Sequence, residues 1–140
     1  MTRRIEFLVH GTPPPKKDGA NSMWAKRTEI PRLIALRQAA RDAMRGTSPL
    51  RSRIHIELEV HCPVEAGDLD NLVTGVCDGL QAADPRIKLD PHWALRDLAA
   101  VRPDVSIAIA DDAQVVAIVA ARAVGHDGPV WYRVALEGED

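Results

Sequence analysis

Cysteine is scarce in this chain of 140 residues, with only Cys62 and Cys77 present. Their spacing matches neither a zinc knuckle nor a redox pair, and each falls on the apolar side of a predicted element. We therefore predict two buried free thiols in a reducing compartment. Long apolar runs are also lacking, because the longest after the first strand, VVAIVAARAV, is far below the ~20 residues of a membrane span. The sequence predicts a soluble, cytoplasmic protein with no membrane partner.

The chain also has little net charge, but the charge of -2 hides an uneven distribution. Residues 1–53 contain twelve of the 18 Lys and Arg residues but only four of the 20 acidic residues. A basic first third joined to an acidic remainder is typical of a protein that contacts phosphate groups with one part and concentrates carboxylates in another. A solvated helix face beside an acidic surface is the alternative interpretation.

Length and hydrophobic periodicity predict a single α/β (α+β) domain over residues 1–140. With 46% hydrophobic residues, the chain is long enough for one core and too short for two. The predicted order is β, α, β, α, β, β, which gives a mixed sheet of about four strands with two main helices packed on it. The strands are predicted at 4–11, 53–63, 114–124 and 128–137, the helices at 31–45 and 71–80, a short helix at 90–101 and a short strand at 104–109. Arg37, Arg41 and Arg45 recur every four residues and are interpreted as a second, arginine-bearing face of the first helix.

Two aspartates in GDLDNLVTGVCDGL stand immediately before the second predicted helix. Side chains two residues apart share a face on extended backbone and diverge on a helix, so Asp68 and Asp70 converge only if the helix begins after them. We predict that Asp70 caps a helix starting at Asn71, which leaves two carboxylates at its positive end for a hard cation. Asp78 follows about two turns along the same side. A capping aspartate beside a loop aspartate is the simpler alternative.

A second acidic pair, Asp111 and Asp112, precedes a later predicted strand. Neighbours on a strand face opposite ways, so only one of the two is expected to join Asp68 and Asp70. A cluster of carboxylates without a countercharge repels itself, and a divalent cation relieves that repulsion. Other Asp-x-Asp families fit poorly: a haloacid-dehalogenase-like phosphatase carries the motif directly after its strand, whereas CPVEAG intervenes here.

Several segments in order resemble the RusA family of Holliday-junction resolvases: GTPPPKK, the arginine-bearing helix, RIHIELEVHCP, GDLDNLVTGVCDGL and ADDAQV. The resemblance implies a RusA-like nuclease domain over residues 1–140, with a family-atypical insertion at about 82–104. It implies that Asp68, Asp70 and Asp112 bind Mg²⁺, with Mn²⁺ as a possible substitute, and carry catalysis. Further family motif positions are Asn71, Thr74, Asp78, Asp111 and Gln114.

The function implied by the resemblance is a crossover-junction endodeoxyribonuclease of DNA recombination and repair. A homodimer is expected to bind four-way branched DNA and to hydrolyse phosphodiesters symmetrically. Magnesium held by carboxylates activates water and stabilises the charge that develops on the phosphate. The residues expected to contact DNA phosphates are Lys16, Lys17, Lys26 and Arg27.

Thr74 is the main departure from the family pattern, because the family has a lysine at this position. Threonine forms hydrogen bonds but does not offset the charge of the transition state, and losing such a group often lowers the rate by ~100-fold to ~1000-fold. Three alternatives therefore accompany the nuclease: a catalytically impaired junction-binding protein on the same scaffold, a metal-dependent phosphatase, and a small interaction domain with no DNA partner.

Overall fold

The computed structural model describes residues 2–17, 22–84, 102–123 and 127–139. The six main elements confirm the predicted α+β architecture. They are β1 (Thr2–His10), α1 (Ile30–Met44), β2 (Ile54–His61), α2 (Leu69–Gly79), β3 (Val115–Arg122) and β4 (Trp131–Glu139). The short helix predicted at 90–101 and most of the insertion at 82–104 lie outside the described residues.

The four strands form one mixed sheet in the order β1-β4-β2-β3. β4 is antiparallel to both β1 and β2, whereas β2 and β3 are parallel and connected through α2. The two strands at the end of the chain therefore form no hairpin, because β2 lies between them. β3 is an edge strand, paired on one side only among the described strands.

Strict alternation in β2 places the core on one face of the sheet. Ile54, Ile56, Leu58 and Val60 are at most 2% exposed, and Tyr132 on the neighbouring strand is fully buried. α1 and α2 cover this face and pack against each other. The opposite face carries ion pairs of Arg4 and Arg133 with glutamates of β1, β2 and β4. Cys62 and Cys77 are buried free thiols, as predicted.

Arg37 corrects the interpretation of an arginine-bearing face on α1. Its side chain is completely buried, while Arg41 and Arg45 are exposed. The guanidinium donates hydrogen bonds to the carbonyl oxygens of Gly79 at 2.8 Å, of Gln81 at 2.9 Å, of Arg102 at 2.8 Å and of Val105. It also lies over the ring of Trp24, 5.2 Å from the centroid. One buried cation thus joins the end of α2 to the chain that returns from the insertion.

The strand predicted at 104–109 is wrong, because only Ile109 forms a bridge, parallel to Leu50. The segment is instead held by contacts with other parts of the chain. Ile107 N donates to Leu80 O at 3.0 Å, and Leu50 N donates to Ala108 O at 3.1 Å. Ile107, Ala108 and Ile109 pack against the core, whereas Val105 is exposed.

Candidate functional site

The connection between β2 and α2 presents the acidic motif, Asp68 and Asp70. It contains a short 3-10 turn and then Gly67, whose φ of +143° is a conformation that favours glycine. Leu72 N donates to Asp68 O at 3.0 Å, so the first helical turn already includes Leu69 and Asp70. The prediction that Asp70 is the N-cap is therefore wrong, because Asp68 occupies that position.

Neither carboxylate of the acidic motif is consumed by helix capping. Asp68 has extended backbone at the N-cap, but its side chain accepts no capping hydrogen bond. Asp70 lies in the first turn and accepts only the adjacent Asn71 N–H, at 3.0 Å, among the hydrogen bonds of the described residues. Both side chains are exposed at the N-terminal end of α2. The helix dipole is positive there, so it stabilises the two carboxylates and opposes the binding of a cation. The simpler alternative of a capping aspartate thus finds no hydrogen bond to support it.

Thr74, at the position of the family lysine, is directed back to its own helix. Its hydroxyl donates to Asp70 O at 3.0 Å, one turn earlier. The side chain is exposed. This is the backbone hydrogen bond commonly made by threonine inside a helix. Thr74 therefore stabilises the backbone below the acidic motif and supplies no positive charge there.

Residues 13–17 bring basic side chains to α2. Lys17 N donates to Asn71 O at 3.1 Å, and the carbonyl of Pro15 contacts Gly75 so closely that a Cβ there would lie 1.8 Å from its oxygen. The aliphatic part of Lys16 covers Gly67, and Lys16 N donates to Glu29 Oε1 at 2.7 Å. Residues 13–17, the basic segment, therefore pack directly against α2, the acidic helix.

Lys26 and Arg27, the other predicted phosphate contacts, lie in the turn before α1. Lys26 N donates to Met23 O at 3.0 Å and Glu29 N donates to Lys26 O at 3.0 Å. Glu29 in turn accepts the backbone N–H of Lys16, which links this turn to the basic segment. Contact of DNA with Lys16, Lys17, Lys26 and Arg27 stays a prediction.

Asp111 and Gln114 have structural partners that account for their presence. Asp111 accepts Ala113 N at 2.9 Å, and Gln114 Oε1 accepts Asp111 N at 2.9 Å, which completes a capping box around a 3-10 turn. Gln114 Nε2 also donates to Leu50 O at 2.9 Å and to Ser52 O at 3.2 Å. These two residues fix the entry to β3. Asp111 and Asp112 are both exposed, but only the Asp111 carboxylate is used in the capping box.

Asp112 lies at the end of α2 opposite to the acidic motif. Its backbone N–H donates to Gln81 Oε1 at 3.2 Å. Burial, and then the nearby charge of Asp112, raise the pKa of Asp78, which Lys17 partly offsets. Burial together with both carboxylates also raises the pKa of Cys77 to about 11. Asp112 is therefore grouped with Asp78, and eight residues of helix, about 12 Å, separate Asp78 from Asp70.

The opposite end of β3 confirms this separation within one chain. Arg122, its last residue, donates to Gly67 O at 2.6 Å, directly before Asp68, whereas Asp112 precedes the first residue of the same strand. Among residues 2–17, 22–84, 102–123 and 127–139, no group of three His, Cys, Asp or Glu side chains is placed to hold a metal ion. A single chain thus does not assemble Asp68, Asp70 and Asp112 around one ion.

Arg37 and Arg122 are the two site-shaping residues that the sequence interpretation missed. Arg37 shares the 3.6-residue periodicity of Leu33, Ala40 and Met44, which was a usable signal of burial. Arg122 is a lone charge at the end of an apolar strand, and its three acceptors become visible only in the fold.

Comparison with protein-family models and with curated proteins yields no match for this chain. The described helices include none that combines the length and apolar character needed to cross a membrane. The resemblance to the RusA family therefore stays a prediction.

Proposed function

We propose that the protein is a Mg²⁺-dependent endodeoxyribonuclease that acts on four-way branched DNA as a homodimer. The observation that carries this proposal is the packing of residues 13–17 along α2, which joins Lys16 and Lys17 to the helix that bears Asp68 and Asp70. Cations beside exposed carboxylates suit a phosphodiester backbone that must be bound and hydrolysed at one place. A phosphatase is supported less well, because both carboxylates are exposed rather than enclosed in a compact pocket.

The separation of the carboxylates within one chain is the reason for proposing a second copy. Among the described strands, β3 is at the edge of the sheet, and its Val116, Ile118 and Val119 are 54%, 51% and 68% exposed. An unpaired apolar edge favours pairing with another strand. Antiparallel pairing of two β3 strands about a two-fold axis places the start of one strand beside the end of the other. Asp112 of the partner subunit would then approach the acidic motif, and each dimer would hold two such sites.

Carboxylate oxygens from two chains are suitable ligands for Mg²⁺, which when bound lowers the pKa of water and stabilises a phosphate under attack. The protein's own part is to bring the ligands together and to bind the phosphates nearby. Thr74 favours one alternative, a junction-binding protein with impaired catalysis, because its hydroxyl is bonded to Asp70 O and supplies no charge. Measuring binding and cleavage separately distinguishes the two.

Cleavage of a synthetic four-way junction tests the proposed activity. We expect paired, Mg²⁺-dependent nicks from the wild-type chain and at least a ~100-fold slower rate from Asp70→Asn. Junction affinity should change little in this variant, because the lysines remain. Asp42→Asn, an exposed aspartate on α1, is the matched control and should cleave normally. Binding without cleavage in the wild type would favour the impaired junction-binding protein, and neither binding nor cleavage would contradict both.

A mixed dimer tests whether the two copies share their sites. Asp70→Asn and Asp112→Asn are expected to be inactive as homodimers. In a heterodimer, purified through two different tags, one shared site carries both substitutions and the other carries neither. We therefore expect about half of the wild-type nicking rate and single rather than paired nicks, because one of two sites is intact. An inactive heterodimer from two chains that bind the junction normally would instead mean that each site belongs to one chain.

A further inference from the structure

Arg122 joins the end of β3 to the connection that carries the acidic motif. Nη1 donates to Gly67 O at 2.6 Å, and Nη2 donates to Pro63 O at 3.0 Å and to Cys62 Sγ at 3.3 Å. These acceptors lie on both sides of the 3-10 turn Val64–Ala66. One planar guanidinium thus bonds to residues on both sides of the turn. A lysine ammonium does not reproduce these bonds, because it lacks the fixed, forked arrangement of donors.

Gly67 is held from two sides as a result. Its carbonyl accepts the bond from Arg122, while the aliphatic chain of Lys16 covers its Cα, where a Cβ would lie 2.7 Å from Lys16 Cδ. Gly67, with φ at +143°, immediately precedes Asp68, the N-cap of α2. The position of the Asp68 carboxylate therefore depends on a backbone that Arg122 fixes to the edge strand.

The guanidinium donates mainly to groups within the protein. Both terminal nitrogens already donate to acceptors of the connection, and Nε is buried with no hydrogen-bond partner among the described residues. Leaving a buried N–H unpaired opposes folding, so the residue is not an optimal end for a strand on stability grounds alone. Its contacts are instead concentrated on the few residues before Asp68.

We propose that Arg122 is a positioning residue of the metal site, which locks the connection before Asp68 to the β3 edge where the second copy contributes Asp112. This inference rests on the proposed function and identifies a further residue on which it depends. Hydrogen-bonded groups behind metal ligands commonly change metal affinity or activity by about 10–100-fold when removed. Arg122 would act in this way through the backbone of Gly67.

Hydrogen exchange and Mn²⁺ binding, measured on the full chain, test the proposal without relying on cleavage. The amides of Ala66, Gly67 and Leu72 report on the connection, since each donates within it or across the first turn of α2. In Arg122→Gln we expect these amides to exchange at least about tenfold faster and Mn²⁺ to bind about 10–100-fold more weakly. Amides of the β2–β4 ladder should keep their rates, and Arg122→Lys should be intermediate. Arg53→Gln, an exposed arginine before β2, is the matched control and should match the wild type.

Three outcomes separate this proposal from the proposed function. Normal exchange and Mn²⁺ affinity together with slow cleavage would mean that Arg122 contacts the DNA, which overturns a positioning role. Wild-type behaviour in every measurement would remove any role. If the wild-type chain neither binds Mn²⁺ nor cleaves the junction, the metal site and the nuclease are both overturned, whereas faster exchange in Arg122→Gln would still establish that Arg122 holds the connection.

Discussion

Replacing Arg37 by alanine is expected to lower the free energy of unfolding by about 3–5 kcal/mol, because it removes a fully buried hydrogen-bond donor and leaves its carbonyl partners without one. Four carbonyl oxygens lose their donor at once, two at the end of α2 and two in the chain returning from the insertion. Urea denaturation of the full chain measures the change. Hydrogen exchange at Ala83 and Ile107, whose amides bond across the same junction, should accelerate as well.

The buried charge itself is not what makes Arg37 stabilising. Burial lowers the pKa of Arg37 to about 10, with Asp104 opposing the shift. Since the folded-state pKa lies below the ordinary value, burying the charge opposes folding at every pH below about 10, and that penalty declines only as the pH rises towards the unfolded pKa. The favourable contribution must therefore come from the carbonyl groups that the guanidinium satisfies and from its contact with Trp24.

Two further variants separate these contributions. Arg37→Met fills most of the space but donates no hydrogen bond. If it lowers the free energy of unfolding as much as Arg37→Ala does, the main cause is the loss of the hydrogen bonds to the four carbonyl oxygens. Arg41→Ala removes an exposed arginine one turn further along α1 and should change stability by no more than about 0.5 kcal/mol. A small effect of Arg37→Ala, equal to that of Arg41→Ala, would contradict the role assigned to the buried guanidinium.

The framework of the fold was predictable because periodicity directly reports which side of an element is buried. β2 alternates without interruption from Ile54 to Val60, and each inward residue is buried. α1 and α2 were found from the same kind of signal. The pattern says nothing about neighbours, however, so the insertion of β4 between β1 and β2 was not visible from the order of the elements.

The site was predictable only in part, because its geometry depends on single hydrogen bonds. One bond, from Leu72 N to Asp68 O, moves the helix start by two residues and makes Asp68 the N-cap instead of Asp70. The position of Asp112 depends on a tertiary contact, with Gln81 beyond the far end of α2. Segments such as 104–109 have the alternation of a strand but lack a neighbouring partner, and alternation alone does not reveal that.

Replacing Gly75 by alanine is expected to destabilise the protein by at least about 2 kcal/mol, although alanine is favoured over glycine inside a helix by about 1 kcal/mol. An added Cβ would lie 1.8 Å from Pro15 O and 2.5 Å from Pro15 C. Both are backbone atoms of a proline-rich segment, so no side-chain rotation relieves the overlap. Residues 13–17 must move away from α2, which breaks the bond from Lys17 N to Asn71 O.

Gly79→Ala provides the matched control, since it makes the same change one turn later in α2. Its Cβ would meet the ends of two flexible side chains, Leu36 Cδ2 at 2.8 Å and Leu33 Cδ2 at 3.2 Å. These ends can shift, so we expect a change within about 1 kcal/mol, close to the gain in helix propensity. Urea denaturation compares the two variants, and junction affinity should fall only in Gly75→Ala because Lys16 and Lys17 are displaced. Equal stability of the two variants would contradict the close packing of the basic segment on the acidic helix, on which the proposed function rests.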